Sequence, residues 1–392
     1  MLESGKTLAE CRGEVERAVA TVRAQFAYVP QLSSPFLLDD GLTSADERAV
    51  PLGVVAVITP WNYPFSSVLR KLTPALVAGN TVVVKPAELT PVTAALIGEA
   101  ALEAGIPAGV VNIVHGAGDT GRALVSHEGV HGISFTGSSA VGSEIATATA
   151  ARGVKVQLEM GGKNAMVVLG DADVEKASAD AVRASFTAAG QWCVATSRII
   201  VQRSVADGFL ASFAERTREL RVGAGLDADT DMGPLVSSTQ FEKVLGYLDR
   251  ARSCGDVVTG GGRAGGPGLA AGYFVEPTVH RGARPGDPVT TDEVFGPLVT
   301  VIECEDLDEA IHLTNDTPYG LTAAVYTADG TAADRFVESV EAGRVTVNLP
   351  ASFGDARVPS GGRRASGRGA PEGGRAGLLF YTHLKAVFRR DA

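Results

Sequence analysis

Strand and helix signals alternate through most of this chain, and few folds accept such a pattern. Residues 53–58 are a short β-branched run, and 66–78 follow with helical spacing, stopping at the C-cap signal Gly79-Asn80. A buried-type strand over 81–84 leads into Lys85-Pro86. Helix is expected over 91–104, strand over 110–114, helix over 119–126, strand over 131–135 and helix over 139–151. The alternation predicts an α/β fold with parallel strands and covering helices. Right-handed crossovers then align the C-terminal strand ends along one crevice.

A second set begins near Gly161, with a strand over 165–169, a helix over 174–188 and a strand over 198–201. Helices follow over 205–220 and 239–251, then a Gly-rich loop over 260–272 and renewed alternation from 298 to 347. Residues 351–377, rich in Gly, Arg, Ser and Pro, read as loop. Residues 378–389 alternate apolar and polar, an edge strand able to pair with another element or subunit. No internal repeat stands out.

At roughly 100–200 residues per domain, 392 residues predict two or three domains. With 45% hydrophobic and 20% charged residues, burial can offset ordering entropy, which excludes disorder as the main state. The net charge of −10 argues against nucleic acid and anionic membrane surfaces. No apolar run approaches a membrane span, and no cationic, apolar leader opens the chain. Cys11, Cys193, Cys254 and Cys304 are scattered, without zinc spacing, as expected in a reducing cytosol. His127-Glu128 lacks the second histidine of a zincin helix, so no metal is expected. Cysteine chemistry here is nucleophilic or absent.

Gly116-Ala117-Gly118-Asp119-Thr120-Gly121 is a literal GxGxxG between a strand and a helix. No acidic residue closes a strand about 20 residues on, so phosphate binding and a plain tight turn stay evenly balanced. Phe135-Thr136-Gly137-Ser138 is a second strand-to-helix junction whose hydroxyls and N–H groups could take phosphate. Lys85 and Glu88 could bind ribose hydroxyls, or Lys85 could be a solvated strand end.

Gly190-Gln191-Trp192-Cys193 follows a helix of small residues. Glu159 ends an apolar strand in Gln157-Leu158-Glu159-Met160-Gly161-Gly162-Lys163, either as a base or as an ion-pair partner of Lys163. Asn62 sits between two prolines in Pro60-Trp61-Asn62-Tyr63-Pro64, where a plain Asx turn is the bland alternative. Each is weak alone. Together they offer a thiol, a carboxylate and an amide donor, the set that thiohemiacetal chemistry requires.

These motifs, with Lys85-Pro86-Ala87-Glu88 and Glu293-Val294-Phe295-Gly296-Pro297, resemble the aldehyde dehydrogenase superfamily in order from about Glu3 to Lys385. Residues 157–164 and Phe380-Tyr381-Thr382 look most similar to semialdehyde dehydrogenases of the succinic and 2-oxoglutarate types. The resemblance implies a Rossmann-type cofactor domain over 51–160, an α/β catalytic domain over 161–350 and a Gly/Arg-rich loop over 351–377. It further implies a remnant of cofactor-domain helices over 1–30 and a small β oligomerisation element from 31–50 and 378–392. It gives Cys193 as nucleophile, with Asn62 and the Cys193 N–H as oxyanion hole and Glu159 as the base that hydrolyses the thioester. Lys85 and Glu88 would hold the adenosine ribose, Ser138 the pyrophosphate and Glu293 the nicotinamide ribose, with Phe295 packing nearby. Thr59, Pro60, Trp61, Ala87, Gly118 and Gly161 complete the implied cofactor set. The implied cofactor is NAD, with NADP as the alternative, in a cytoplasmic homodimer or homotetramer.

Three departures stand out. Family members carry roughly another hundred residues before the segment matching 3–20, so apolar surface is expected to be open, or covered by a rearranged N-terminus or another subunit. The usual aromatic after Pro359 is Ser360 and the usual Lys is Arg364, which predicts a wider, more polar substrate mouth. The run Ser366-Gly367-Arg368-Gly369 leads into Ala370-Pro371-Glu372 instead of Arg-Glu. Arg70, eight residues after Asn62, matches the position where succinic semialdehyde dehydrogenases bind the substrate acid; a surface arginine is the bland alternative. An active enzyme for a small carboxylate-bearing aldehyde is the expectation. The competing reading is a silent binding protein of the same family, and retention of Asn62, Glu159 and Cys193 together argues against it. A coenzyme-A-acylating relative would lack Glu159.

Overall fold

The computed structural model describes residues 1–33, 38–39 and 43–390. Helix α1 (Leu8–Phe26) is followed by β1 (Leu38–Asp39) and β2 (Thr43–Pro51). A β/α series runs β3 (Val54–Ile58), α2 (Pro64–Val77), β4 (Thr81–Lys85), α3 (Pro91–Glu103) and β5 (Val111–Ile113). It continues through α4 (Gly118–Ser126), β6 (Gly132–Thr136), α5 (Ser139–Ala150) and β7 (Lys155–Glu159). The second series opens with β8 (Asn164–Val168), α6 (Val174–Phe186), β9 (Thr196–Gln202), α7 (Ala206–Arg218) and α8 (Ser238–Cys254). Next come β10 (Asp256–Thr259), β11 (Thr278–Arg281), α9 (Pro288–Thr291), β12 (Leu298–Cys304) and α10 (Leu307–Asn315). Then follow β13 (Tyr319–Gly320), β14 (Thr322–Tyr326), α11 (Gly330–Ser339) and β15 (Arg344–Val347). The last described elements are β16 (Arg363–Arg364), β17 (Gly367–Arg368), α12 (Gly374–Phe380) and β18 (Thr382–Arg390).

The chain divides into two compact units. Unit 1 comprises Met1–Arg12, Gly161–Phe353 and Gly362–Ser366; unit 2 comprises Gly13–Met160, Gly354–Gly361 and Gly367–Ala392.

Unit 2 holds a six-stranded sheet of order β17-β7-β6-β3-β4-β5, parallel except for β17. Alternate residues serve opposite faces, as the two-residue period of a strand requires. Val55, Val57, Val82 and Val84 pack with Val68 and Leu72 of α2, while Ala56, Ile58, Ile133, Phe135 and Leu158 build the other core. Covered on both faces, the strands read as apolar runs. Strand order reverses between β3 and β6, the place where open α/β sheets receive ligands beyond their C-terminal ends.

Unit 1 holds a seven-stranded sheet of order β10-β11-β12-β9-β8-β14-β15, parallel except for β10. Met166, Val168, Ile199 and Val201 face one core, and Ala165, Val167, Ile200 and Ile302 the other. A third sheet, again in unit 2, pairs β18 antiparallel with β2 from Thr382↔Pro51 to Arg390↔Thr43, with β1 on the far side of β2.

Some boundaries differ from expectation. The strand expected from 378 begins at Thr382: Gly373 and Gly374, at φ 73° and 55°, turn the chain into α12, which buries Leu378 and Phe380 in the α2 core. The loop expected over 351–377 contributes β16, β17 and the start of α12. The helix expected to 188 ends at Phe186, because Ala188 and Ala189 are left-handed. The strand expectations over 31–50 and 378–392 fall partly on 34–37, 40–42 and 391–392, which lie outside the described residues.

Candidate active site

In unit 1, three successive residues before the cysteine motif, Ala188, Ala189 and Gly190, have φ of 54°, 55° and 70°. A left-handed alanine costs about 1–2 kcal/mol, so surrounding contacts must impose this turn. They are on hand. Glu10 Oε1 accepts the Ala188 N–H at 2.6 Å. Gln191 accepts the Val236 N–H at 3.0 Å and donates to the Ala188 carbonyl at 3.0 Å. Gly190 lies so close to the 296–297 backbone that a Cβ would meet the Gly296 oxygen at 2.3 Å. Beyond the turn, Asn164 Nδ2 donates to the carbonyls of Cys193 and Ala195, each at 2.8 Å, while its Oδ1 accepts the Thr322 N–H. The half-buried Cys193 is thus fixed at its backbone, on a motif crossing between α6 and β9.

The other thiols differ. Cys304 is buried in β12, and burial followed by Glu309 and Asp306 pushes its thiol up to about 12. Burial and Asp287 also raise the Cys254 thiol.

Glu293 also belongs to unit 1. Its Oε1 accepts the Gly162 N–H at 3.1 Å, and a Cβ on Gly161 would strike its Oε2 at 2.2 Å. Burial raises its pKa; the Gly162 N–H, Lys243 and Lys163 act the other way. One face of α8 grips this segment. Lys243 Nζ donates to the Glu293 carbonyl at 2.9 Å, and Gln240 Nε2 to those of Val294 and Phe295 at 3.1 and 2.7 Å. Tyr247 donates to Asp292 at 2.7 Å. Phe295 itself is left-handed, at φ 58°. Lys163 is almost wholly buried, and its opposite charges are Asp292 and Glu293.

In unit 2, Glu159 ends β7, buried at the sheet's C-terminal edge. Its carbonyl accepts the Gly137 N–H at 3.1 Å, and it pairs with Gly367 of β17. A Cβ on Gly361 would come within 2.8 Å of its Oε1, so bare backbone passes the carboxylate. Ser360, next to Gly361, exchanges backbone hydrogen bonds of 2.7 and 2.9 Å with Glu372. Asn62 is buried, its Oδ1 accepting the Tyr63 N–H at 3.1 Å.

Thr59, Pro60 and Trp61 follow β3 directly, at the sheet's switch point. Lys85, at the end of β4, is buried rather than solvated, with Nζ 3.5 Å from Glu88, which is largely exposed; Ala87 is buried between them. Ser138 caps α5, accepting the Val141 N–H at 3.4 Å. The Thr59 hydroxyl is buried without a hydrogen-bond partner among the described residues. An orphan hydroxyl and a helix N-terminus at the switch point fit the sugar and phosphate groups of a dinucleotide. The GxGxxG belongs to the same sheet, two strands from β3. It follows the edge strand β5, and Gly116, at φ 150°, is required because a Cβ would meet Thr120 Oγ1 at 2.0 Å; Gly118 opens α4.

Arg70 is half-exposed, with Nη1 3.6 Å from Glu372 Oε2. Glu372 also accepts from the fully buried Lys71, which donates to Ser134 Oγ at 3.2 Å. Burial pushes the Glu372 pKa up, but Lys71 and Arg70 outweigh it and the net direction is down. Motif reading missed Lys71, Asn164, Gln240 and Lys243. Gln240 and Lys243 carried a signal, three residues apart on one face of an expected helix.

The aldehyde dehydrogenase family model matches residues 1–387. An alpha-ketoglutaric semialdehyde dehydrogenase of Bacillus subtilis is 38% identical over 394 residues, covering 98% of this chain and 80% of the relative. An alpha-ketoglutarate semialdehyde dehydrogenase of Haloferax volcanii is 42% identical over 390 residues, covering 98% and 80%. The crystal structure of betaine aldehyde dehydrogenase from Staphylococcus aureus in complex with NAD+ aligns with a TM-score of 0.95 at 35% identity, covering 99% of this chain and 78% of that one.

Proposed function

The chain belongs to the aldehyde dehydrogenase family, and on that premise we propose that it oxidises a carboxylate-bearing semialdehyde, of the 2-oxoglutarate type, to the diacid. It is an NAD-dependent enzyme acting on aldehydes. The observation that carries the reading is the Cys193 turn, where three left-handed residues and a backbone clamp hold one thiol in place.

In this reading the Cys193 thiolate adds to the aldehyde carbon. The resulting oxyanion is stabilised by the Asn62 amide and the Cys193 N–H. Bound NAD supplies a two-electron acceptor for the hydride that leaves the carbon. Glu159 then takes a proton from the water that cleaves the Cys193 thioester, releasing acid and free thiol. Lys85 and Glu88 hold the adenosine ribose, Ser138 the pyrophosphate and Glu293 the nicotinamide ribose, with Phe295 packing nearby. Thr59, Pro60, Trp61, Ala87, Gly118 and Gly161 line the same cofactor. The exposed carboxylate of Glu88 suits a free 2′-hydroxyl and repels a 2′-phosphate, which favours NAD over NADP.

The Arg70 guanidinium is shared with Glu372 yet half-exposed, which leaves donors for a substrate carboxylate. Ser360, beside the glycine that passes Glu159, supplies a further hydroxyl. No described helix is long and apolar enough to cross a membrane. Four free thiols suit the cytoplasm, and the exposed Leu384 and Phe388 of β18 suit a homodimer or homotetramer.

The test follows NADH formation with a semialdehyde acid and a neutral aldehyde of equal length. Cys193→Ala should abolish turnover of both. Arg70→Ala should cost the acid roughly 10-fold or more in kcat/KM and spare the neutral substrate. Full activity without Cys193 would overturn the mechanism, and equal losses at Arg70 the substrate class.

A further inference from the structure

Helix α2 starts without a cap of its own. Its N-cap residue, Tyr63, makes no side-chain cap hydrogen bond, and Pro64 at the first helical position has no N–H to place. The Tyr63 N–H goes to Asn62 Oδ1 at 3.1 Å. The first bond of the helix proper runs from the Ser67 N–H to the Tyr63 carbonyl at 2.9 Å. The Phe65 and Ser66 N–H groups remain, and both donate to Glu14 Oε1 of α1, at 3.0 and 2.9 Å. Glu14 is 3% exposed and shares the buried face of α1 with Ala18 and Gln25; all these residues belong to unit 2. We propose that Glu14 is a positioning residue for the oxyanion-stabilising amide: its carboxylate caps α2 from another helix and so fixes the Asn62 segment that leads into it. The inference rests on the reading of Asn62 as an oxyanion-hole donor.

The need for such a cap follows from the backbone. A helix N-terminus buried with unsatisfied N–H groups frays or shifts until they find acceptors. The usual device is a short polar side chain at the N-cap itself. A tyrosine cannot serve in that way, and a carboxylate 51 positions away takes over. Its negative charge also meets the positive end of the α2 dipole. Any loosening here falls on Asn62, which immediately precedes the N-cap. The Asn62 amide is oriented by the same backbone. With Oδ1 engaged by the Tyr63 N–H, Nδ2 is the donor end of the group, and a rotated Tyr63 peptide would undo that assignment. Oxyanion stabilisation depends on donor placement, and a misplacement of about 1 Å can cost roughly 100-fold in rate. A carboxylate that acts through the α2 backbone therefore governs the chemical step. A carboxylate that only fastened α1 to the unit would change stability and leave the contribution of Asn62 as it was.

The experiment measures the single-turnover rate of NADH formation at saturating NAD, with succinic semialdehyde and with butanal. The proteins are wild type, Glu14→Ala, Glu14→Gln, Asn62→Ala and the double variant Glu14→Ala/Asn62→Ala. Asn62→Ala should slow the step roughly 100-fold or more. Glu14→Ala should slow it roughly 10-fold with either aldehyde, while NAD affinity by calorimetry holds. Glu14→Gln, which keeps an acceptor oxygen, should stay within about threefold of wild type. In the double variant the loss of the amide should absorb the loss of the cap, leaving the rate within about twofold of Asn62→Ala alone. A wild-type rate in Glu14→Ala, or losses that multiply in the double variant, overturns the positioning role. A wild-type rate in Asn62→Ala overturns the oxyanion reading instead. Should Glu14→Ala not fold, Glu14→Leu, close to glutamate in volume and unable to accept, decides by the same cycle.

Discussion

The two most deeply buried lysines among the described residues lie one in each unit, and their surroundings solve the same problem differently. Lys71 is wholly buried in unit 2 and set against Glu372, with Ser134 Oγ accepting a further hydrogen bond from its ammonium. Lys163 is as deeply buried in unit 1 without an ion pair among the described residues, and its pKa falls to about 7. Contact fixes the first charge. The second stays adjustable near neutral pH. A buried cation with a carboxylate against it belongs to the scaffold, whereas one balanced only by more distant charges can respond to what binds nearby.

The comparison breaks most readily at Glu372. Glu372→Leu should cost about 3–5 kcal/mol in denaturant unfolding, because it strands Lys71 without its counter-charge. The double variant Lys71→Met/Glu372→Leu should recover most of that loss. A single-variant cost under about 1 kcal/mol would show that the pair is not holding α2 to the 370–372 segment.

Lys163 predicts a pH signature. Its ordinary pKa is 10.5 and its folded value about 7, so between these limits the unfolded chain holds the extra proton. Wild-type stability should therefore rise through that window, relative to Lys163→Met, by about 1.4 kcal/mol per pH unit. Below about pH 7 the burial penalty is present in full, and Lys163→Met should be the more stable protein. A difference independent of pH would mean that Lys163 keeps its proton when buried.

The smallest effect is expected at Arg70. Half-exposed and 3.6 Å from Glu372, it should contribute under about 1 kcal/mol, so Arg70→Ala should leave the unfolding midpoint almost unmoved. A large loss would make Arg70 part of the buried pair.

Much of the α/β pattern was legible because doubly covered parallel strands are apolar runs, as in Val54–Ile58 and Asn164–Val168. The cysteine motif was legible as a string, but its turn was not. Alanine carries no mark of a positive φ, and only contacts from Glu10 and Gln191 impose it at Ala188. The weight of GxGxxG was undecidable locally, since strand order alone shows that it follows an edge strand. The Lys71–Glu372 pair joins residues 301 positions apart, so no local pattern could announce it. The onset of β18 was misplaced because residues 378–381 are a short apolar run, which does not distinguish the end of a helix from the start of a strand.

The exposed strand β18 carries a consequence for handling the protein. Nine residues long, it pairs with β2 on one side, and no described strand lies on the other, while Leu384 and Phe388 stand exposed. Such an edge is a template for any extended chain, correct or not. Colloidal behaviour then depends on concentration and on the speed of assembly. Slow, dilute refolding lets edges meet their own kind in register, and crowded refolding favours strand-exchanged aggregates.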